Sequence, residues 1–400
     1  MRSLPMCLGT RCSAVWLSCE LIVIIVLPAD VAIAADGKIW MENKNELRPH
    51  LSNSRPTDVA TTETHIQTFL GHLDNGGKPV EIYDLVDRLQ LDIATDIFLG
   101  HSALTLEGEQ QPFRDALNTL MAVNTVRMLI GPLALWSPDR LLAPVASRDM
   151  NRYMDKQIDK TLSLPRQELL EREGKLTLME TLALKTRDRK YIKNQLVAIL
   201  LAGKDPVAIT ISWALYELAC HPDVAQRLRE EVVRVCGIER TPSADNLKEM
   251  LLLKYIIRET LRLYHPLGFN IREAQRNTTI PTGGGPRGDQ PVTILKGERV
   301  AYSVIGLQRR KDLVGPDAGD WKPDRYFHWT PKTWEFIPFN HGPRICLGRV
   351  FGYFQMEYTL CRIFQRFERI ELHEPRAQRI KVELNTKMAY PINCSFHRAA

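Results

Sequence analysis

Residues 339–348 combine one cysteine with glycines and an arginine in a pattern suited to metal binding. Cys346 stands directly before residues 347–364, where apolar side chains recur at helical spacing, so it is expected at the N-terminus of a buried helix. Unpaired backbone N–H groups and the positive end of the helix dipole lower the pKa of a thiol there and hydrogen-bond a thiolate. The pattern predicts that Cys346 is an anionic ligand suited to ferric iron.

The neighbours of Cys346 fit a flat, iron-containing macrocycle. Gly348 gives the macrocycle room near the backbone, Phe339 can shield the sulfur from water, and Arg344 can pair with a carboxylate. We therefore predict that Cys346 is a haem thiolate, with Phe339, Arg344 and Gly348 also contacting the cofactor. A lone cysteine beside a helix is more often a small core hydrophobe, and the surrounding residues argue against that interpretation here.

Residues 339–348 match the pattern FxxGxRxCxG at all of its five fixed positions, and through it the chain resembles the cytochrome P450 family. The resemblance implies a mainly α fold with small β-sheets, haem b bound through Cys346, and dioxygen as a substrate. It also implies that NADPH supplies electrons through an NADPH-cytochrome P450 reductase. The similarity extends over roughly residues 35–397, is dense in the C-terminal half and is thin between residues 100 and 180.

A second similarity lies in residues 254–266. Glu259 and Arg262 are three residues apart and share one helical face, a spacing usually found in exposed ion pairs of small energetic value. Residues 321–327 resemble the family segment that supplies a further arginine, here Arg325. The resemblance implies a buried triad of Glu259, Arg262 and Arg325 that holds the cysteine loop in place.

Two more bases could pair with the haem carboxylates. Lys44 takes the place of arginine in a segment, residues 40–44, that resembles the family's WxxxR helix, and a lysine keeps the charge but loses the bidentate fork. Arg272 matches another haem-contacting arginine of the family. The alternative for each is an ordinary exposed base.

Residues 194–220 predict a long apolar helix that faces bound oxygen. Residues 202–205 resemble the start of the family's AGxDTT motif, which implies that Asp205 is the acid of a proton relay. Pro206 and Val207 stand where two threonines are usual, so the relay lacks its hydroxyl. An ordered water could replace it, Thr210 one turn further on could assist, or the chemistry could need no proton delivery; we expect the first, with less efficient coupling of electron use to product.

Residues 282–292, 296–304 and 307–312 resemble the fungal branch of the family that hydroxylates alkanes and fatty acids. We predict a monooxygenase that hydroxylates an aliphatic C–H of a fatty acid, alkane or aliphatic secondary metabolite. Leu267 and Phe269 are candidates for the apolar wall around this small substrate, with ordinary core packing as the alternative.

Two other functions stay open because of Pro206 and the short N-terminal region. The protein could be a haem isomerase or dehydratase that does not activate oxygen, and activity without NADPH would identify it. It could also be a degenerate, non-catalytic haem protein, and failure to turn over with reductase or peroxide despite bound haem would identify that.

Composition fits one enzyme domain. The chain has 400 residues, 44% of them hydrophobic, a net charge of +6 with dispersed bases, and no linker or repeat, so nucleic-acid binding is not indicated. We also expect a monomer. Eight cysteines without a CxxC pair indicate neither a zinc site nor a disulfide framework and favour a reducing compartment. A basic face near the cysteine helix could receive an acidic reductase.

Residues 1–34 fit the family poorly. Residues 21–29 form an apolar run too short to span a bilayer, and with Arg2 and Arg11 before it the segment mimics a secretory leader. We therefore divide the chain into an apolar leader or atypical N-terminus, 1–34, and an N-terminally shortened haem-binding domain, 35–400. The resemblance alone implies association with the endoplasmic reticulum membrane on its cytosolic face.

Overall fold

The computed structural model describes residues 31, 35–52, 55–130, 142–172, 175–373 and 377–398. Helices dominate this part of the chain. They are α1 (Gly37–Leu51), α2 (Pro56–Leu73), α3 (Ile82–Leu99), α4 (Gln111–Ile130), α5 (Leu142–Leu162), α6 (Arg166–Glu171), α7 (Leu178–Lys185), α8 (Arg189–Cys220), α9 (Pro222–Cys236), α10 (Ala244–Glu249), α11 (Leu251–Leu263), α12 (Val304–Gln308), α13 (Lys311–Val314) and α14 (Arg349–Arg366), with 3-10 turns at Pro323–Phe327 and Gly342–Arg344.

The strands are short and antiparallel. They are β1 (Val80–Glu81), β2 (Phe269–Glu273), β3 (Thr278–Gly284), β4 (Gln290–Ile294), β5 (Arg299–Ser303), β6 (Arg369–His373), β7 (Ile380–Lys381), β8 (Lys387–Met388) and β9 (Asn393–His397). They form a three-stranded sheet in the order β1-β9-β6 and the pairs β2-β5, β3-β4 and β7-β8. The predicted fold class, mainly α with small β-sheets, is confirmed.

Helix α8 forms the centre of the molecule. It begins at the Asp188 cap, whose carboxylate accepts hydrogen bonds from the backbone N–H groups of Lys190 and Tyr191 at 2.9 and 3.2 Å. It then packs against α3, α5, α7, α9, α11 and α14. The helix is long and apolar enough to cross a membrane, but 83% of its most apolar window is buried, as is typical of the core helix of a folded domain.

A buried group of charges ties α8 to α3 and α4. Lys204 of α8 lies between Asp87 and Asp205, with its ammonium 2.7 Å from the Asp205 carboxylate, and Lys204 and Asp87 are each 1% exposed. Arg114 of α4 donates to Asp87 at 3.0 Å. Burial raises the pKa of Asp87, but the two cations outweigh burial and the pKa is lowered. A buried ion pair of this kind fixes the relative position of the helices that supply its members.

Replacing Asp87 with Asn should destabilise the fold. The change leaves Lys204 with less compensation for its buried charge, so we expect a loss of about 3–5 kcal/mol in unfolding free energy. The measurement is the urea midpoint of the purified protein. Because the pKa of Asp87 is lowered in the folded state, its contribution is present above the ordinary carboxyl pKa of 3.8 and is lost as the pH falls below it.

The control for Asp87→Asn is Asp245→Asn. Asp245 also pairs with a lysine, Lys248 at 2.8 Å, but both side chains are exposed, so the urea midpoint should stay unchanged. Equal midpoints for the two variants would show that the buried charges do not stabilise the fold.

Candidate active site

A cavity of about 440 Å³ lies between α8 and the loop that precedes α14. One wall comes from α8 and the other from residues 338–348, and α1, residues 265–272 and residues 384–385 close the sides. Apolar side chains make up most of the lining, and the Cys346 thiol borders the cavity from the loop side. This arrangement places a sulfur opposite the central helix of the fold.

The loop fixes Cys346 through its backbone. The N–H of Cys346 donates to the carbonyl of Phe339 at 2.9 Å, and the sulfur accepts a hydrogen bond from the N–H of Gly348. The side chain thus lies just before the helix, since α14 begins at Arg349 with Gly348 as its cap. A Cβ atom on Gly348 would lie 3.9 Å from the sulfur.

The start of the helix lowers the pKa of the Cys346 thiol as predicted, but burial outweighs this effect. Burial raises the pKa of Cys346, and the N–H of Gly348 and the charge of Arg349 oppose this rise without overcoming it. The physical reason is that many protein atoms surround the sulfur, although the side chain is exposed toward the cavity. A metal cation in the cavity would reverse the balance, because a coordinated thiol is deprotonated outright.

The donor set of the cavity fits haem. A single thiol faces an apolar space, and the cations Lys44, Arg272 and Arg344 lie among its lining residues. A flat macrocycle with a thiolate ligand and two carboxylates needs such a combination. Phe339 also lines the cavity, and its ring packs on Tyr353 with 4.8 Å between ring centres.

Each cation is held by this chain as well as facing the cavity. Arg344 donates to the Asp36 carboxylate at 2.6 Å and to the carbonyl of Ala35 at 2.8 Å. A haem carboxylate would therefore share the Arg344 guanidinium with Asp36, an ion pair that the sequence did not predict. Lys44 donates to the carbonyl of Pro343 at 3.2 Å. Trp40 lies under both, with the Lys44 ammonium 4.7 Å and the Arg344 guanidinium 4.3 Å from the ring centre.

Arg272 reaches the cavity from strand β2. It donates to the carbonyl of Ile271 at 2.9 Å, and its guanidinium lies 5.6 Å from the centre of the Tyr302 ring on the paired strand β5. Asn270 and Arg272 line the cavity, whereas Phe269 does not and is 59% exposed. Alternate residues of a strand face opposite sides, so the prediction of Phe269 as a substrate contact is wrong; Leu267, before the strand, does line the cavity.

The structure brings Glu259, Arg262 and Arg325 together. Glu259 and Arg262 are fully buried and share two hydrogen bonds of 2.8 Å, and Arg325 donates to the same carboxylate at 2.8 Å. Arg262 also donates to the carbonyls of Gln308, Ala318 and Asp320. The three charges therefore connect α11 with residues 308–325 of the chain.

Two further side chains connect the triad and α11 to the cysteine loop by hydrogen bonds. Neither of them was predicted from the sequence. Gln308 donates to the carbonyl of Leu261 at 3.1 Å and accepts from the N–H of Ile337 at 3.0 Å. His265 lies 2.8 Å from the carbonyl of Pro338 through Nε2, and its Nδ1 accepts from the N–H of Leu267 at 3.0 Å. Burial lowers the pKa of His265, so the neutral ring donates to the carbonyl that precedes Phe339.

The α8 wall differs from the expected proton relay. Asp205 does not line the cavity, because its carboxylate turns to Lys204 at 2.7 Å and to the amide of Asn385 at 3.2 Å. The prediction that this acid faces the site is therefore not met. Pro206, Val207 and Thr210 do line the cavity, and the Thr210 hydroxyl donates to the carbonyl of Pro206 at 2.8 Å.

Comparison with known proteins decides the family. The family model described as "Cytochrome P450" matches residues 28–390. The chain belongs to the cytochrome P450 family. Cytochrome P450 monooxygenase pvhE of Talaromyces variabilis is 36% identical over 85% of this chain and 67% of its own length, and cytochrome P450 52E1 of Candida apicola is 34% identical over 89% and 72%. This chain thus spans about two thirds of the length of these relatives.

A solved structure confirms the fold. The crystal structure of a cytochrome P450, CYP102L1, superposes with a TM-score of 0.74 at 22% identity and covers 94% of this chain and 83% of its own. The predicted resemblance to fungal cytochrome P450 enzymes is also confirmed.

The protein is an oxygen-incorporating oxidoreductase with haem bound through a thiolate, and it uses dioxygen and a redox partner. The leader predicted for 1–34 lies outside the described residues, apart from Val31.

Loss of the buried triad should reduce haem loading. In Glu259→Gln the two arginines lose a carboxylate, and breaking a buried pair costs about 3–5 kcal/mol. We expect haem per chain to fall severalfold after growth with excess porphyrin precursor. The measurement is the Soret absorbance relative to protein concentration.

The control for Glu259→Gln is Glu249→Gln, an exposed residue of the neighbouring helix α10. Its haem content should match the unaltered protein. Full haem loading in Glu259→Gln would contradict a structural role of the triad in the haem site.

Proposed function

We propose that the protein hydroxylates an aliphatic C–H of a fatty acid, an alkane or an aliphatic secondary metabolite. The observation that supports this substrate class is the apolar wall of the cavity on the side of α8. The side chains there are aliphatic, with Met121 and Leu384 adjoining Ala198, Ile199, Leu201 and Val207. An apolar chain gains free energy by leaving water for such a surface, at about 25 cal/mol per Å².

Haem, when bound, supplies dioxygen activation, so that one oxygen atom enters the C–H bond and the other leaves as water. The residues of the chain orient the substrate and control water. The apolar side chains exclude bulk water, while Thr210, whose proton is held by the carbonyl of Pro206 at 2.8 Å, offers its oxygen as an acceptor. An ordered water bound to that oxygen takes the place of the missing hydroxyl as proton source.

The partner and location follow from the resemblance and are part of the proposal. Electrons come from NADPH through a cytochrome P450 reductase that docks beside Cys346, where the exposed Arg349 adds positive charge at the start of α14. The protein acts as a monomer at the cytosolic face of the endoplasmic reticulum membrane.

The function is tested by turnover under labelled dioxygen. With reductase, NADPH and a set of C10–C16 acids and alkanes, we expect an alcohol product that carries one labelled oxygen atom, because one atom enters the C–H bond. Product formation without NADPH would instead identify an isomerase or dehydratase. No product with reductase or peroxide, despite bound haem, would identify a non-catalytic haem protein.

Pro206→Thr should improve coupling. A threonine supplies the hydroxyl that the relay lacks and a backbone N–H that proline cannot offer to α8. We expect the ratio of hydrogen peroxide to NADPH consumed to fall severalfold.

The matched control is Ala198→Ser, which adds a hydroxyl to a cavity-lining position of α8 two turns earlier, outside the motif, and should leave the peroxide ratio unchanged. Tight coupling in the unaltered protein would refute the idea that Pro206 impairs proton delivery.

A further inference from the structure

Asn385 is a polar side chain on the substrate side of the cavity whose position is closely fixed. The backbone on either side of it is anchored, with the N–H of Leu384 donating to Thr125 at 3.0 Å and the N–H of Thr386 donating to the carbonyl of Pro266 at 2.8 Å. The Asn385 side chain is 5% exposed and lines the cavity beside α8. A polar group held this firmly can discriminate between ligands.

The buried charges of α8 determine which end of the Asn385 amide faces the cavity. The Asp205 carboxylate, paired with Lys204 at 2.7 Å, can only accept hydrogen bonds, so the amide nitrogen of Asn385 must be the end that points to it, at 3.2 Å. The amide oxygen is left facing the cavity. Among the described residues no donor reaches this oxygen, and it is not sealed from the cavity space.

The other polar side chain on this wall is also an acceptor. Thr210 gives its proton to the carbonyl of Pro206 at 2.8 Å, which leaves only lone pairs toward the cavity. These acceptors, of which Thr210 binds the ordered water of the proposed relay and Asn385 has no donor among the described residues, favour a ligand that carries an O–H group. They disfavour a carboxylate at this end of the cavity, because a carboxylate can only accept hydrogen bonds as well.

We propose that Asn385 is a specificity-determining residue that accepts a hydrogen bond from the hydroxyl group of an aliphatic alcohol. The preferred substrate is then a chain that already carries an alcohol, and an earlier hydroxylation or carbonyl reduction must supply it. This inference rests on the proposed function for the aliphatic part of the substrate. It adds that the substrate carries a hydroxyl group, which Asn385 on the α8 side of the cavity recognises.

The test compares two ligands that share the decyl chain and the oxygen, 1-decanol and decyl methyl ether, on the haem-loaded full chain; a methyl group replaces the hydroxyl hydrogen in the ether. Isothermal titration calorimetry gives both dissociation constants. The ether cannot donate to the Asn385 oxygen, so we expect decanol to bind about tenfold more tightly, the size of one net hydrogen bond. Equal affinities would overturn the proposal, and this comparison needs no variant.

The variant Asn385→Leu tests whether Asn385 causes the preference for decanol. It should make the two dissociation constants similar, mainly by weakening the binding of decanol. Asn270→Leu, the same change elsewhere in the cavity lining, should keep the tenfold preference. A decanol preference that survives in Asn385→Leu would overturn the proposal. A low-spin shift of the haem spectrum in that variant would show that iron binds the alcohol oxygen instead.

The binding test and the turnover test can fail independently, so failure of the Asn385 inference is distinguishable from failure of the proposed function. A tenfold preference without any product under NADPH and reductase would remove the proposed function and keep the binding role of Asn385. Hydroxylation of decane together with equal affinities for decanol and its ether would keep the function and remove this inference.

Discussion

The structure depends on one sulfur atom that must become negatively charged in a place where burial opposes the charge. Burial raises the pKa of the Cys346 thiol, and the N–H of Gly348 and the charge of Arg349 offset only part of that rise. A bound iron would supply the remaining stabilisation. The protein contributes the position of the sulfur, which the hydrogen bonds to the carbonyl of Phe339 and from the N–H of Gly348 fix.

That position is built from the interior outward. Glu259, Arg262 and Arg325 connect α11 to residues 308–325, Gln308 connects them to Ile337, and His265 connects the end of α11 to Pro338. These contacts end one residue before Phe339, whose carbonyl receives the N–H of Cys346. A charged group that does not itself line the cavity thus sets the geometry of the ligand through backbone hydrogen bonds. Haem binding therefore depends on the stability of this network.

Features that depend on neighbouring residues could be predicted from the sequence, whereas contacts between distant parts of the chain could not. The helix after Cys346, the long apolar helix over residues 194–220 and the cysteine loop could be predicted because their signals lie within a few residues. The direction of Asp205 could not, because it depends on a buried lysine that pairs with Asp87, 117 residues away. The partner of Arg344 lies 308 residues away in Asp36. Phe269 was misplaced because the strand register sets which alternate residues face the cavity, and composition does not reveal that register.

The central claim is the bond between iron and the sulfur of Cys346. Its most direct test is the carbon monoxide difference spectrum of the reduced, haem-loaded protein, measured beside Cys346→Ser. We expect the unaltered protein to show a Soret band at the position characteristic of thiolate ligation and the serine variant to lack it. A thiolate-type band that persists in Cys346→Ser, or a histidine-type band in the unaltered protein, would contradict the account.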